Sequence, residues 1–476
     1  MKITILRGDV HLVQLRTRMP FKYGIATMTH MPQAFVRLAV DVDGKRVEGI
    51  SSDLLPPKWF TKDPAKAVDL EIDEMLHVIR HAGQFAVGLS GASAFDVWGQ
   101  LHQTQSTWGE REGLPPLLYH FGTSLAERAL IEAVCRAHGK PFATMLRGNG
   151  LGIELGATHP ALKGIAPGEL LPAKPLGEII ARHTVGLADP LTDSDIAPGE
   201  RLNDGLPQSL EACIRAYQLR HFKLKVNGQL EGDVARLHRI AEILEAHAPR
   251  DYAFTIDGNE QFKAIGAFQA FWEAVRQSPK LAGFLKHMLF IEQPLHRSVA
   301  LDDSVGKEFK VWKDRPPIII DESDATLESV PTALRLGYVG TSHKNCKGVF
   351  KGVASRCLLL QRQRQSPKEP AIMSGEDLCN LGPIALLQDL AVMAALGISS
   401  VERNGHHYVA GLSLFSDSVQ QQVLAAHGDL YHRSAAGWPT VNIKDGRINV
   451  NSLNAQPLGV GFALDVAQFT QVAEWH

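Results

Sequence analysis

HFKLKVNGQLEGDVARLHRIAEILEAHAPRDYAFTID, residues 221–257, contains two short apolar runs on either side of one amphipathic segment. HFKLKV and YAFTID have the length and composition of buried strands. Between them, Val234, Leu237, Ile240, Ala241 and Leu244 recur at helical spacing. A strand, a helix and a second strand form a parallel pair, because a crossover of this length returns the chain to its starting direction. The order repeats downstream. FQAFWEAVRQSP precedes MLFIEQPL, RPPIIIDES follows, ATLESVPTALRLG leads to YVGTSHK, and NLGPIALLQDLAVMAALG leads to ISSVERN. Upstream, SLEACIRAYQL supplies the helix before HFKLKV. Right-handed crossovers close such a series into a (β/α) barrel, here over residues 180–410. An open doubly wound sheet is the other arrangement, but no opening glycine-rich dinucleotide fingerprint accompanies it.

The flanks read differently. Residues 1–150 predict an α+β domain. ITIL, VHLVQL and FVRLAVDV are extended, Asp43-Gly44 supplies a turn, and helices are expected over 65–82 and 124–138, the latter ending before Gly139. MPFKYGIATMTHMP, residues 19–32, reads as an exposed loop, and the Gly- and Pro-rich stretch 155–205 as long connections. Residues 411–476 have shorter segments and are expected to return to the N-terminal domain.

Lys plus Arg is 49 against 51 for Asp plus Glu, so bulk charge offers no attraction to nucleic acid or an anionic membrane. The five cysteines have no paired metal-ligand spacing and favour a reducing compartment. Charge interrupts the N-terminus before a signal-like core develops, and no apolar run reaches a membrane span. A cytoplasmic, soluble protein is the expectation.

Three acids share one position in the pattern. Asp257 ends YAFTID, Glu292 ends MLFIE and Asp321 ends PPIIID. Consecutive parallel strands bring all three to one face, where unscreened carboxylates repel one another. A hard divalent cation, Mg2+ or Mn2+, resolves that conflict with oxygen ligands. Lys223 and Lys225 stand two apart on the preceding strand and so point the same way. Lys344, in GTSHKNCKG, falls at the expected end of strand six, across the barrel mouth from Lys225. Lys347 falls in the following loop, and His343 alternates away.

KLK at 223–225, DGNEQF at 257–262, IEQPL at 291–295 and IIIDES at 318–323, in this order, resemble the enolase superfamily. The likeness is greater to its mandelate racemase/muconate lactonizing branch than to glycolytic enolase. The resemblance implies an enolase-like barrel under a capping domain built from N- and C-terminal segments. It implies metal binding by Asp257, Glu292 and Asp321, with Glu322 a neighbouring acid, and Lys225 as general base with Lys223 its electrostatic companion. Lys344 resembles the opposed lysine of the muconate lactonizing and dipeptide epimerase subgroups. No clear His-Asp dyad is assignable at strands six and seven, which weakens an assignment to mandelate racemase itself.

Other residues are candidates for the pocket. Asn259 either orients substrate or metal-bound water, or forms an Asx-turn in DGN. Glu376, in SGEDL, lies near the expected seventh strand end beside Ser374 and Asp377. His406 and His407, in NGHHYV, follow the expected eighth strand. Lys22, Tyr23, Thr27 and His30 come from the expected loop of the cap. The reaction expected is magnesium-dependent removal of the proton α to a carboxylate of a small molecule, giving racemisation, epimerisation or cycloisomerisation. Acid-sugar dehydration shares its first half. A noncatalytic, metal-stabilised carboxylate-binding protein is the reading from another class. Self-association into a homo-oligomer agrees with the resemblance.

Overall fold

The computed structural model describes residues 1–475. Eight parallel strands follow one another around a closed barrel: β1 Glu178–Val185, β2 His221–Lys225, β3 Ala253–Asp257, β4 Met288–Glu292, β5 Ile318–Ile320, β6 Gly340–His343, β7 Ile372–Gly375 and β8 Ser400–Arg403. β8 pairs with β1, Ser400 opposite Ile180 and Arg403 opposite His183, which seals the barrel. Helices between the strands cover the outside, among them Leu230–His247, the amphipathic segment of the opening stretch. The expected barrel is present.

Strand register fixes the layers inside it. Lys223, Thr255 and Phe290 are level across β2, β3 and β4, and one step higher Lys225, Asp257 and Glu292 are level. Alternation turns Phe222, Leu224, Phe254 and Ile256 outward into the buried helix layer. Strand β1 is a correction, since it lies within residues 155–205, expected to be long connections. Its inward positions are polar, Arg182 and Thr184, so it lacks the apolar signature of a buried parallel strand.

The N-terminal domain is an antiparallel sheet of Ile3–Tyr23, Ala26–Val42 and Lys45–Leu54, backed by helices Val68–Ala86, Ala94–Arg111 and Pro116–His138. Residues 19–32 are not a loop. They form the tip of a hairpin, Tyr23 paired with Ala26 across Gly24 and Ile25. Phe21, Tyr23 and Met28 are buried, while Lys22, Thr27 and His30 are exposed. The inward face of this hairpin meets the barrel mouth, which gives it the partner surface a loop would not need. Helix Pro116–His138 starts earlier than expected because Pro116 fits the first helical turn. It packs so closely on the sheet that a Cβ at Gly49 would stand 2.0 Å from Ala129 O.

The C-terminal segment divides between the two bodies rather than returning to one. Arg447–Asn449 pairs antiparallel with β1 of the barrel. Thr470–Gln471 adds to the N-terminal sheet beside His11 and Leu12. Among the described residues, no helix is long and apolar enough to cross a membrane.

Candidate active site

The C-terminal ends of the barrel strands and the cap hairpin line a small cavity of about 40 Å³. Lys223, Lys225, Asn259, Asp321, Lys344, Glu402 and Asn404 line it from the barrel side. Phe21, Tyr23, Met28 and Trp59 close it from the cap. The cap loop carrying Trp59 is tied to the barrel. Lys62 Nζ is 2.7 Å from Glu260 Oε2, and Arg297 bonds Glu260 while donating to the carbonyls of Trp59 and Phe60.

At the floor, Lys223 Nζ lies 2.9 Å from Asp257 Oδ2, 3.0 Å from Glu292 Oε2, 2.5 Å from Glu376 Oε2 and 3.0 Å from Glu402 Oε2. Burial opposes its charge, but these four carboxylates outweigh burial and hold the ammonium well above the ordinary lysine range. Arg182 from β1 reaches the other oxygen of Glu376, and Thr184 donates to Glu402. Glu402 is held well below the usual carboxylate range, Lys223 overcoming the effect of burial. Burial and then Glu376 drive Glu292 well upward. Its Oε2, although near Lys223, lacks hydrogen-bonding geometry and is a buried oxygen with no hydrogen-bond partner.

At the rim, each lysine has one principal carboxylate. Lys225 Nζ is 2.6 Å from Asp257 Oδ2, with Asn259 Oδ1 at 3.4 Å. Lys344 Nζ is 2.6 Å from Asp321 Oδ2 and 5.3 Å from the centre of the Trp59 ring. Burial opposes the Lys344 charge, and the Asp321 carboxylate reverses that and raises it. Asp321 also receives Lys347 at 3.1 Å and the Ser342 hydroxyl at 2.5 Å. β2 and β6 are four strands apart in an eight-stranded ring, so Lys225 and Lys344 enter the cavity from opposite walls.

The remaining candidates fall on both sides of the line. Asn259 is in the cavity wall. Its backbone N–H donates to Asp257 Oδ1, which is the expected Asx-turn, and its Nδ2 donates to Glu322 Oε1. Burial, then Asp321, pushes Glu322 up to about 7. Glu376 lies beneath the cavity, within the floor network. Tyr23 lines the cavity and donates its hydroxyl to Pro57 O. Lys22, Thr27 and His30 are corrections, because hairpin alternation sends them to solvent. His407 is also displaced. The short helix Gly405–Tyr408 turns it away from the cavity to Cys213, Nδ1 to Sγ 3.5 Å. Lys347, expected in a loop away from the chemistry, is buried on Asp321.

Sequence reading missed Glu402, Arg182, Trp59 and Asn404. The rule that found the other acids applies to Glu402, which follows Val401 near the end of β8, but two serines dilute the apolar run. Among the described residues, the group of three ligating side chains whose atoms all lie within 4.8 Å of one another is His183, Cys213 and His407, not the three acids.

No family model matches the sequence, and no curated protein matches it. Solved structures do match. A mandelate racemase/muconate lactonizing protein from Herpetosiphon aurantiacus is 13% identical, over 97% of this chain and 99% of that one, with a TM-score of 0.62. Muconate lactonizing enzyme from Pseudomonas fluorescens, complexed with muconolactone, is 17% identical over 97% of each chain, with a TM-score of 0.59. A dipeptide epimerase from Enterococcus faecalis, complexed with Mg and L-Leu-L-Tyr, is 13% identical over 96% of this chain and 100% of that one, also at 0.59. The expected fold, an enolase-like barrel with a capping domain, is the fold of this chain.

Proposed function

We propose that the chain is a magnesium-dependent enzyme that removes the proton α to the carboxylate of a small molecule and returns a proton to the same carbon, a racemase or epimerase. One observation carries this reading: Lys225 and Lys344 line a single cavity from opposite walls. Two amines facing one carbon permit removal of a proton on one side and delivery on the other, so configuration inverts.

Asp257, Glu292 and Asp321 are the residues that would hold the ion. The donor chemistry fits, since three carboxylates on consecutive strands offer a hard oxygen set and Glu292 Oε2 has no hydrogen-bond partner. The Enterococcus faecalis neighbour was crystallised with Mg, which supports the choice of ion. When bound, magnesium would supply positive charge against the negative charge that develops on the substrate carboxylate as the proton leaves. Lys225 Nζ, as the neutral amine, takes the proton and becomes an ammonium, and Lys344 Nζ, as an ammonium, delivers one and is left neutral. Lys223, fixed by its carboxylates, offsets their negative charge at the floor of the cavity. Phe21, Met28 and Trp59 exclude water, and Asn259 offers a side-chain amide at the wall.

The test is a screen of carboxylic acids with Mg2+ in deuterated water, reading α-deuterium and configuration together. For a responsive substrate, Lys344→Ala is expected to retain washout from the Lys225 face while inversion is lost. Inversion that continues at the original rate defeats the two-amine reading. A product that has lost a β-substituent moves the assignment to elimination, as in acid-sugar dehydration. Ligand and magnesium binding with no exchange in any acid favours a binding protein instead.

A further inference from the structure

A second cluster of ligating side chains lies outside the cavity, at the seam where the barrel closes. His183 stands on β1 opposite Arg403 of β8, Cys213 on the helix Leu210–Tyr217 that follows β1, and His407 on the turn that follows β8. One ligand atom from each lies within 4.8 Å of the other two, and the side chains are 1%, 0% and 2% exposed. The thiol has no disulfide partner. His407 Nδ1 is directed at Cys213 Sγ, while its Nε2 lies 3.9 Å from Asp189 Oδ2. That carboxylate is beyond hydrogen-bond distance but stands on the side from which a partner orients a metal-ligating imidazole. His183 Nδ1 is hydrogen-bonded to another imidazole, His406 Nε2 at 3.2 Å, and His406 Nδ1 is buried with no hydrogen-bond partner. The surrounding cation, Arg18, is already paired with Asp204 and donates to the carbonyl of His407.

We propose that His183, Cys213 and His407 bind one thiophilic d10 ion, Zn2+ or Cu+, that fastens the barrel seam. Two imidazoles and a thiolate suit a soft or borderline ion, and disfavour the hard magnesium chosen for the carboxylates. Binding is ligand exchange without redox change. The Cys213 S–H bond breaks, its proton leaves to solvent, the sulfur lone pair binds the ion, and each neutral imidazole donates a ring-nitrogen lone pair. The ion joins the first strand, the first crossover helix and the segment after the last strand, all of which must stay together for the barrel to remain closed.

The experiment uses the full chain stripped by chelator and then held in excess Mg2+, so that oxygen sites are filled. Co2+, as a reporter for Zn2+, is expected to give a thiolate-to-metal charge-transfer band and tetrahedral visible bands that saturate at one ion per chain. Cys213→Ser abolishes the charge-transfer band and Asp257→Asn retains it. If Cys213→Ser fails to fold, X-ray absorption of the zinc-loaded wild-type chain decides the matter, with one sulfur at about 2.3 Å and two nitrogens at about 2.0–2.1 Å expected. Competition with a chromophoric Cu+ chelator under anaerobic conditions distinguishes the second ion. The occupied protein should melt at a higher temperature than the stripped one. No thiolate band, no sulfur in the zinc shell and no Cu+ retained, including after refolding with each metal present, overturns the proposal.

Discussion

Lys223 and Lys225 leave the same strand in the same direction, yet they occupy different environments. Lys223 sits on the floor among four carboxylates and is 1% exposed. Lys225 sits at the rim with one close carboxylate and is 8% exposed, beside open space. The floor is a neutralised ionic core, in which removal of one member leaves others buried and uncompensated. The rim has the same chemistry with a vacancy next to it. Strand geometry brings both amines to the barrel mouth, and only the depth of the layer separates the one ringed by carboxylates from the one proposed for the chemistry.

The largest contrast should appear in activity. Lys225→Ala is expected to lower α-proton exchange by about 10²–10⁴-fold, the usual contribution of a positioned acid or base, with circular dichroism and melting little changed. Unaltered exchange would remove Lys225 from the mechanism. Lys223→Met should reverse the pattern, lowering stability by about 3–5 kcal/mol in denaturant titration because buried carboxylates lose their counter-ion. A folded, fully stable Lys223→Met protein would show that the floor does not depend on its central charge.

A buried acid without a lysine partner sharpens the comparison. Glu127 on the cap helix Pro116–His138 accepts the backbone N–H of Phe350, at the start of the helix that follows the Lys344 loop. Burial pushes this carboxyl up to about 8, against the partial opposition of the Phe350 hydrogen bond. Its folded value lies above its unfolded one, so the stabilisation from holding the proton is complete below about 4.5 and is lost as pH rises through about 8. Glu127→Gln keeps a carbonyl acceptor and should flatten the fall of stability over that window, by roughly one proton in the linkage slope. An unchanged slope would mean that the acid is already ionised in the folded chain. The smallest effect is expected at the cap side of the cavity. Tyr23→Phe removes the hydrogen bond to Pro57 O and should cost about 1 kcal/mol of stability, measured by the denaturant midpoint.

The barrel was legible where sequence and burial share a rule. A parallel strand covered on both faces is an apolar run, and the acid that ends it must lie at the barrel mouth, as Asp257, Glu292 and Asp321 do. The rule fails where the interior is polar. β1 presents Arg182 and Thr184 to the floor, so its partners, not its pattern, identify it. β8 hides Glu402 behind Ser399 and Ser400 for the same reason. The hairpin tip escaped notice because Pro20, Gly24 and Pro32 punctuate it like a loop, while its alternating face has meaning only once a barrel mouth lies beneath it. His407 belongs to one turn of helix, too short to carry a period, and nothing local shows which way its ring points.

The division of the last segment bears on how the chain assembles. Strand Ile3–Tyr23 has one edge filled by Thr470–Gln471, and the edge of β1 away from β2 is shared by β8 and Arg447–Asn449. Neither sheet is complete until residues 447–471 are in place, and open edges invite pairing with a neighbouring chain. Docking of this one segment, rather than the folding of each body in turn, is then the step at which both close.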